Sequence, residues 1–365
     1  MALYSNDGRL LGIERDKSEG SFNAETGTYK VSAYLWEENN EPMHDTVSRT
    51  VKTGEKINTE AYLFAHFVGT ESSANEEQIY FSVSEDGLNW TTLNDNQPIL
   101  ISDKGEMGVR DPHIIRGEDG KYFVIATDLS IYNRRDDKNR WGTCQTSGSK
   151  SIVIWESDDL VNWSDSRLVK VAADNAGCTW APEAVYDSER DMYMVFWASK
   201  VSDDNYATQR IYRSFTKDFK EFMAPEVYID GGNISNIDTT IVNDKGVYYR
   251  FTKNESKSSV TMMASTSLEH GWKDVATYTI DGVAGNTVTG YEGPTIYKTN
   301  GSESWTLLLD YYSKSQGYKP FVTDDITKGE FKSVSNFKTD TKYRHGTVMP
   351  ITKAEYDKLV EKYGK

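Results

Sequence analysis

The chain has 365 residues and a formal net charge of −15, with 41 Lys plus Arg against 56 Asp plus Glu. That balance argues against nucleic acid and anionic membrane partners and is easier to reconcile with a neutral ligand, and no apolar run approaches the length needed to cross a bilayer. Twenty-three Tyr, nine Trp and thirteen Phe, with few stretches of helical period, fit strands, and aromatic faces are also what sugar rings stack on.

Residues 1–57 differ from the rest. Thr28 to Trp36 alternates like a strand, and Thr46 to Val51 is its expected partner across Glu37 to His44. This reads as a small N-terminal β extension, or the remnant of a neighbouring domain, without chemistry of its own. No signal peptide is visible, and Met1-Ala2 fits a cloning start on a trimmed protein.

From Ala61 onward a pattern recurs in which an acidic turn precedes an aromatic. The copies are Val83-Ser-Glu-Asp-Gly-Leu-Asn-Trp90, Trp155-Glu-Ser-Asp-Asp-Leu-Val-Asn-Trp163, Ser214 to Phe222, Ser265 to Trp272 and Val322 to Phe331. Five copies predict an array of β units, the signature of a propeller of four-stranded blades. Tyr62 to Val68, Gln78 to Val83 and Trp90 to Leu93 supply three strands of one blade. The next runs from His113 to about Lys170. A third uses Glu183 to Tyr186, Met192 to Ala198, Gln209 to Phe215 and Glu226 to Ile229. A fourth uses Thr239 to Val242, Val247 to Thr252, Val260 to Ala264 and Ala276 to Ile280. The last uses Thr295 to Lys298, Trp305 to Tyr311, Lys319 to Val322 and Phe331 to Val334. Thr347 to Ile351 is left over and completes the first, so residues 58–365 form an all-β, five-bladed β-propeller closed by strands from both termini. Lys353 to Tyr363 reads as a short amphipathic helix.

Two cysteines, Cys144 and Cys178, fall in segments read as loops, where they either pair or remain free. The strand starts carry Arg110-Asp-Pro112, Trp180-Ala-Pro-Glu183, Asn236-Ile-Asp238, Tyr291-Glu-Gly-Pro294 and Arg344-His-Gly-Thr347. Pro112 is expected to hold Asp111 extended, and alternation to turn His113 away from the funnel. Four of these five segments carry a carboxylate. Acids aimed at one channel repel each other and call for catalysis or a cation.

In this order the five segments resemble glycoside hydrolase family 43, over about residues 60–352. The resemblance implies a five-bladed propeller and inverting hydrolysis, with Asp111 as general base, Glu292 as general acid and Asp238 tuning and orienting that acid. His345 matches the channel histidine, commonly beside a calcium ion; no organic cofactor is implied. The chain departs from the family at Thr239, where Pro is common, and at Glu183, an extra acid after Trp180-Ala-Pro182. Trp180 is either a wall for a sugar ring or a core aromatic. Arg250 either binds a sugar or pairs with Asp238 or Glu292. His66, Phe67 and Tyr291 are placed at the mouth, a lone His being more often a core residue. The implied activity is that of a secreted bacterial glycosidase on arabinose- or xylose-containing plant polysaccharide side chains. An α-L-arabinofuranosidase is expected ahead of a β-xylosidase, arabinanase or β-galactanase, and ahead of a non-catalytic carbohydrate-binding propeller. Neither nucleic acid nor membrane is expected as a partner.

Overall fold

The computed structural model describes residues 1–14, 27–34, 47–53 and 57–364. Two compact units emerge, residues 1–57 with 186–192 and residues 58–185 with 193–365. The first contains a four-stranded sheet in the order Leu10–Ile13, Ala2–Ser5, Gly27–Ala33, Val47–Thr53. Gly27–Ala33 and Val47–Thr53 pair antiparallel with Tyr29 opposite Val51, close to the expected hairpin. Trp36 and the turn after it lie outside the described residues. The strands Ala2–Ser5 and Leu10–Ile13 escape the sequence reading, although Asp7-Gly8 between them is a hairpin signal, with Gly8 at φ +86°.

The second unit holds five sheets. The first runs Val109–Arg116, Tyr122–Asp128, Ser151–Ser157, Arg167–Lys170, and the second Trp180–Asp187, Met192–Ser199, Arg210–Thr216, Glu226–Ile229. The third is Asn236–Asp244, Val247–Asn254, Ser259–Ser265, Lys273–Asp274. The fourth has six strands: Glu292–Lys298, Trp305–Asp310, Tyr318–Thr323 and Glu330–Ser333, then Thr279–Ile280 and Val283–Ala284. In the fifth, Arg344–Ile351 pairs antiparallel with Ala61–Phe67, which continues to Tyr80–Ser84 and Thr91–Thr92. One assignment changes. Thr279–Ile280 leaves the third sheet and pairs parallel with Glu330 and Phe331, because Tyr278 beside it is buried against Phe331 and Phe251.

The recurring turn has a common physical basis. A Ser or Thr closes the third strand, and two residues later an Asp caps the turn. Asp86 accepts the N–H groups of Leu88 and Asn89, Asp159 those of Val161 and Asn162, and Asp218 those of Lys220 and Glu221. Asp325 accepts from Thr327. The aromatic then locks the turn: Trp90 Nε1 donates to the Gly87 carbonyl and Trp163 Nε1 to that of Leu160.

Apolar clusters fill the space between sheets. Leu63, Phe81, Val109, Val124, Trp155 and Met349 join the fifth sheet to the first, and Phe251, Met262, Leu307 and Phe331 join the third to the fourth. Side chains near the strand starts add polar links. Ala181 N–H donates to Thr127 Oγ1 at 2.7 Å, and Asp238 accepts the Gly293 N–H at 3.1 Å. Val348 N–H donates to Thr295 Oγ1 at 3.3 Å and Ile114 N–H to Thr347 Oγ1 at 2.8 Å. Glu183 bonds Thr240. Each sheet is thereby tied to the next. The helix Lys353–Tyr363 follows as expected, with Thr352 and Glu355 forming a capping box.

Candidate active site

Four of the five inner strands bend at the same place. Asp111, Ala181, Asp238 and Gly293 have φ of +51°, +47°, +48° and +51°. The ladder registers slip between Arg110 and His113, Ile237 and Thr239, Glu292 and Thr295, and Arg344 and Gly346. Asp111 is therefore left-handed, not extended as the Pro112 rule suggests. Here the bulge turns the strand through such a residue, and Asp tolerates it better than most. The same slip breaks alternation, so His113 turns inward, its Nδ1 3.4 Å from Glu183 Oε2.

The bends aim four side chains at one point. His345 Nδ1 lies 3.4 Å from Asp111 Oδ1 and 3.8 Å from Asp238 Oδ1. Burial opposes charge on His345, but the two carboxylates outweigh it and raise the imidazole to about 9. Burial also pushes Asp111 up; His345, Arg110 and the Thr127 hydroxyl at 3.0 Å overcome it and hold this carboxyl below its ordinary value. Asp238 is raised to about 6, by burial first, with Glu292 and Asp111 adding to it against His345 and Lys253.

Glu292 reaches the same cluster from the fourth sheet. Its Oε2 accepts from Lys253 Nζ at 2.8 Å and its Oε1 from Arg344 Nη2 at 3.2 Å. Arg344 is steered by Asp310, which accepts from its Nε at 2.6 Å, and by the Gly69 carbonyl. Lys253 and Arg344 were not singled out from sequence. The signal was present: a Lys inside the buried strand Val247–Asn254 needs a charged partner.

The extra acid lies deeper. Glu183 is buried and raised to about 8, chiefly by burial, while burial lowers its neighbour His113 to about 3. Both directions describe an uncharged pair, so the 3.4 Å approach is a contact between a carboxylic acid and a neutral imidazole, not an ion pair.

Other expected site residues are placed as follows. Phe67 is buried under the Arg110 guanidinium, 4.7 Å from its ring centroid, and that guanidinium is fixed by Glu77 Oε1 at 2.7 Å. Trp180 packs on Leu129, Ile131 and Cys144 and meets Trp141 edge-on at 6.4 Å. Trp141, 42 % exposed, was missed because it sits within a stretch read as loop; residues Arg140–Thr146 form a short helix. Cys144 is on that helix, and it and Cys178 are separate buried thiols, raised by burial to about 11 and about 12. Tyr291 stacks on Tyr311 at 4.4 Å.

Two residues lie elsewhere. His66 is core: it bonds Ser82 Oγ at 2.8 Å, stacks on Tyr343 at 4.0 Å and is lowered to about 4 by burial. Arg250 pairs in register with Ile241 and packs over Trp272 at 4.3 Å and Tyr228 at 5.5 Å, away from Asp238 and Glu292. It lies three positions before Lys253 along its strand, which removes it from the strand start.

The implied calcium finds no fit at His345. Among the described residues no group of three His, Cys, Asp or Glu side chains is set to hold one.

An α-L-arabinofuranosidase of Bifidobacterium longum subsp. longum is 31% identical over 235 residues, covering 59% of this chain and 22% of that protein. The chain thus spans about a fifth of that relative's length. Among solved structures, RS223-β-xylosidase superposes with a TM-score of 0.48 at 13% identity, covering 62% of this chain and 77% of that one. The catalytic domain of the Coprinopsis cinerea GH62 α-L-arabinofuranosidase gives 0.45 at 13%, covering 68% and 74%. Residues 58–357 match the profile described as a probable glycosyl hydrolase domain related to family 43. Across the region that holds Asp111, Asp238, Glu292 and His345, the chain belongs to the glycosyl hydrolase 43-related family.

Proposed function

We propose that this chain is an inverting glycosidase releasing α-L-arabinofuranosyl side chains from plant cell-wall polysaccharide, on a five-bladed propeller closed by the pairing of Arg344–Ile351 with Ala61–Phe67. The observation that carries it is the meeting of Asp111 and Asp238 at His345, with Glu292 entering from the next strand start. Inversion needs one carboxylate to activate water and one carboxylic acid to protonate the leaving oxygen, about 6.5–9.5 Å apart. Asp111, held ionised, suits the base. Asp238 fixes the Gly293 N–H and so the backbone that presents Glu292. Glu292, held at its two oxygens by Lys253 and Arg344, is left for the acid, and in that role it donates a proton to the leaving oxygen. The Bifidobacterium relative supports the choice of sugar by its name. Polysaccharide is too large to enter a cell, so secretion belongs to the same proposal.

The test is a panel of nitrophenyl glycosides with branched arabinan and arabinoxylan, following the first-formed anomer by NMR. Arabinose released initially as the β-anomer is expected. Xylose or galactose release would change the substrate, and the α-anomer would exclude inversion.

A further inference from the structure

Lys253 is almost fully buried, yet its ammonium has two carboxylate partners. Glu292 Oε2 is at 2.8 Å and Glu255 Oε2 at 2.6 Å, and the Tyr312 ring centroid lies 4.3 Å away. The partners differ in setting. Glu255 has 44% of its side chain exposed, against 19% for Glu292. Both pairs are close enough to offset the cost of burying the ammonium inside the strand Val247–Asn254.

We propose that Lys253, shared between Glu292 and Glu255, is a positioning residue that holds the Glu292 carboxyl in place and governs the acidity at which it carries its proton. This rests on Glu292 being the general acid. The charged groups facing Glu292 are Lys253 from the third sheet, Arg344 from the fifth, and Asp238 and Asp310, with His345 behind them. Arg344 is tied to Asp310 and cannot leave without unpairing it. Lys253 can move its weight to Glu255 at the rim, which loosens its hold on Glu292 and frees an oxygen to bind a proton. Glu255 is thus the alternative partner, and Tyr312, anchored through its hydroxyl to Ser258 Oγ at 2.9 Å, is the face along which the ammonium shifts.

The full chain and its K253M, K253R and E255Q variants separate this role from packing. One readout is the pH profile of kcat/KM on a poor-leaving-group substrate; another is the titration of the Glu292 carboxyl by 13C NMR, assigned with E292Q. Removing the Lys253 charge should move the basic limb and the titration midpoint up by about 1–3 pH units, the size of an adjacent opposite charge. K253R should restore both. E255Q, at the exposed rim, leaves Lys253 to Glu292 alone and should move both down. If K253M does not fold, E255Q still decides by its sign. Lower rates with limbs and midpoints unmoved would overturn the proposal. A chain that releases no sugar yet shows the displaced midpoints keeps the Lys253 role and loses the catalytic reading; sugar release with fixed midpoints does the reverse.

Discussion

At the residue scale, each carboxyl is given its character by its neighbours. Asp111 has a charged imidazole and a hydroxyl; Asp238 has burial and two other acids; Glu292 has two cations. Their division of labour can be separated by leaving group. Glu292→Ala should slow poor leaving groups by about 10²–10⁴-fold and activated nitrophenyl ones far less, because only the former need the proton. Asp111→Ala should slow both, with partial recovery in azide or formate. Asp238→Asn removes a negative charge beside Glu292, which then ionises at lower pH. The basic limb of the rate profile should move down, and a limb that moves up would exclude Asp238 as the tuning acid. Glu183, protonated at neutral pH in its buried pair with His113, is the competitor. If Glu183→Gln abolishes turnover of every substrate while Glu292→Ala does not, Glu183 is the acid.

At the scale of the element, the inner strands show why their starts are built from unusual residues. A left-handed residue bends four of the inner strands, and in the first, third and fourth a slipped register goes with it. Gly293 is the one glycine among the four left-handed residues. A Cβ there would lie 2.7 Å from His345 Cγ, in addition to the cost of a left-handed non-glycine residue. Gly293→Ala should therefore destabilise by about 1–3 kcal/mol and displace His345 from Asp111 and Asp238. Urea unfolding measures the first, and the pH profile the second; an alanine variant with wild-type stability would mean that the bend does not require glycine. The bends also explain two departures from sequence rules. Pro112 could not hold Asp111 extended against a bulge, and strand alternation could not predict His113 across one.

For the whole molecule, the buried titratable groups make stability fall towards alkaline pH. His345 has its pKa raised from 6.5 to about 9, so the stability it contributes is complete below 6.5 and lost as pH rises through 9. Glu183, raised from 4.5 to about 8, acts in the same direction, because the fold favours its protonated form: the stability it contributes is complete below 4.5 and lost as pH rises through 8. The thermal midpoint should drop between pH 6.5 and 9, and Glu183→Gln should flatten that drop. A midpoint constant over this range would show that the histidine is not charged between its two acids.

How much was legible before folding differs by kind of feature. The repeated Ser/Thr-x-Asp turn is local, since the Asp caps N–H groups two or three residues on; it stands in four of the five sheets, and in the third Ser267 takes the place of the Asp. The strand-start acids were legible as a set because each begins a comparable repeat. Sequence alone could not weigh Arg250 against Lys253: both lie on one strand, and only the register against Asn236–Asp244 puts one beside the acids and the other between Trp272 and Tyr228. Nor could it show that His66 is core or that Trp141 meets Trp180, contacts that join distant parts of the chain. Local hydrogen bonding wrote the repeats into the sequence; the partner of each buried charge was decided by where the sheets meet.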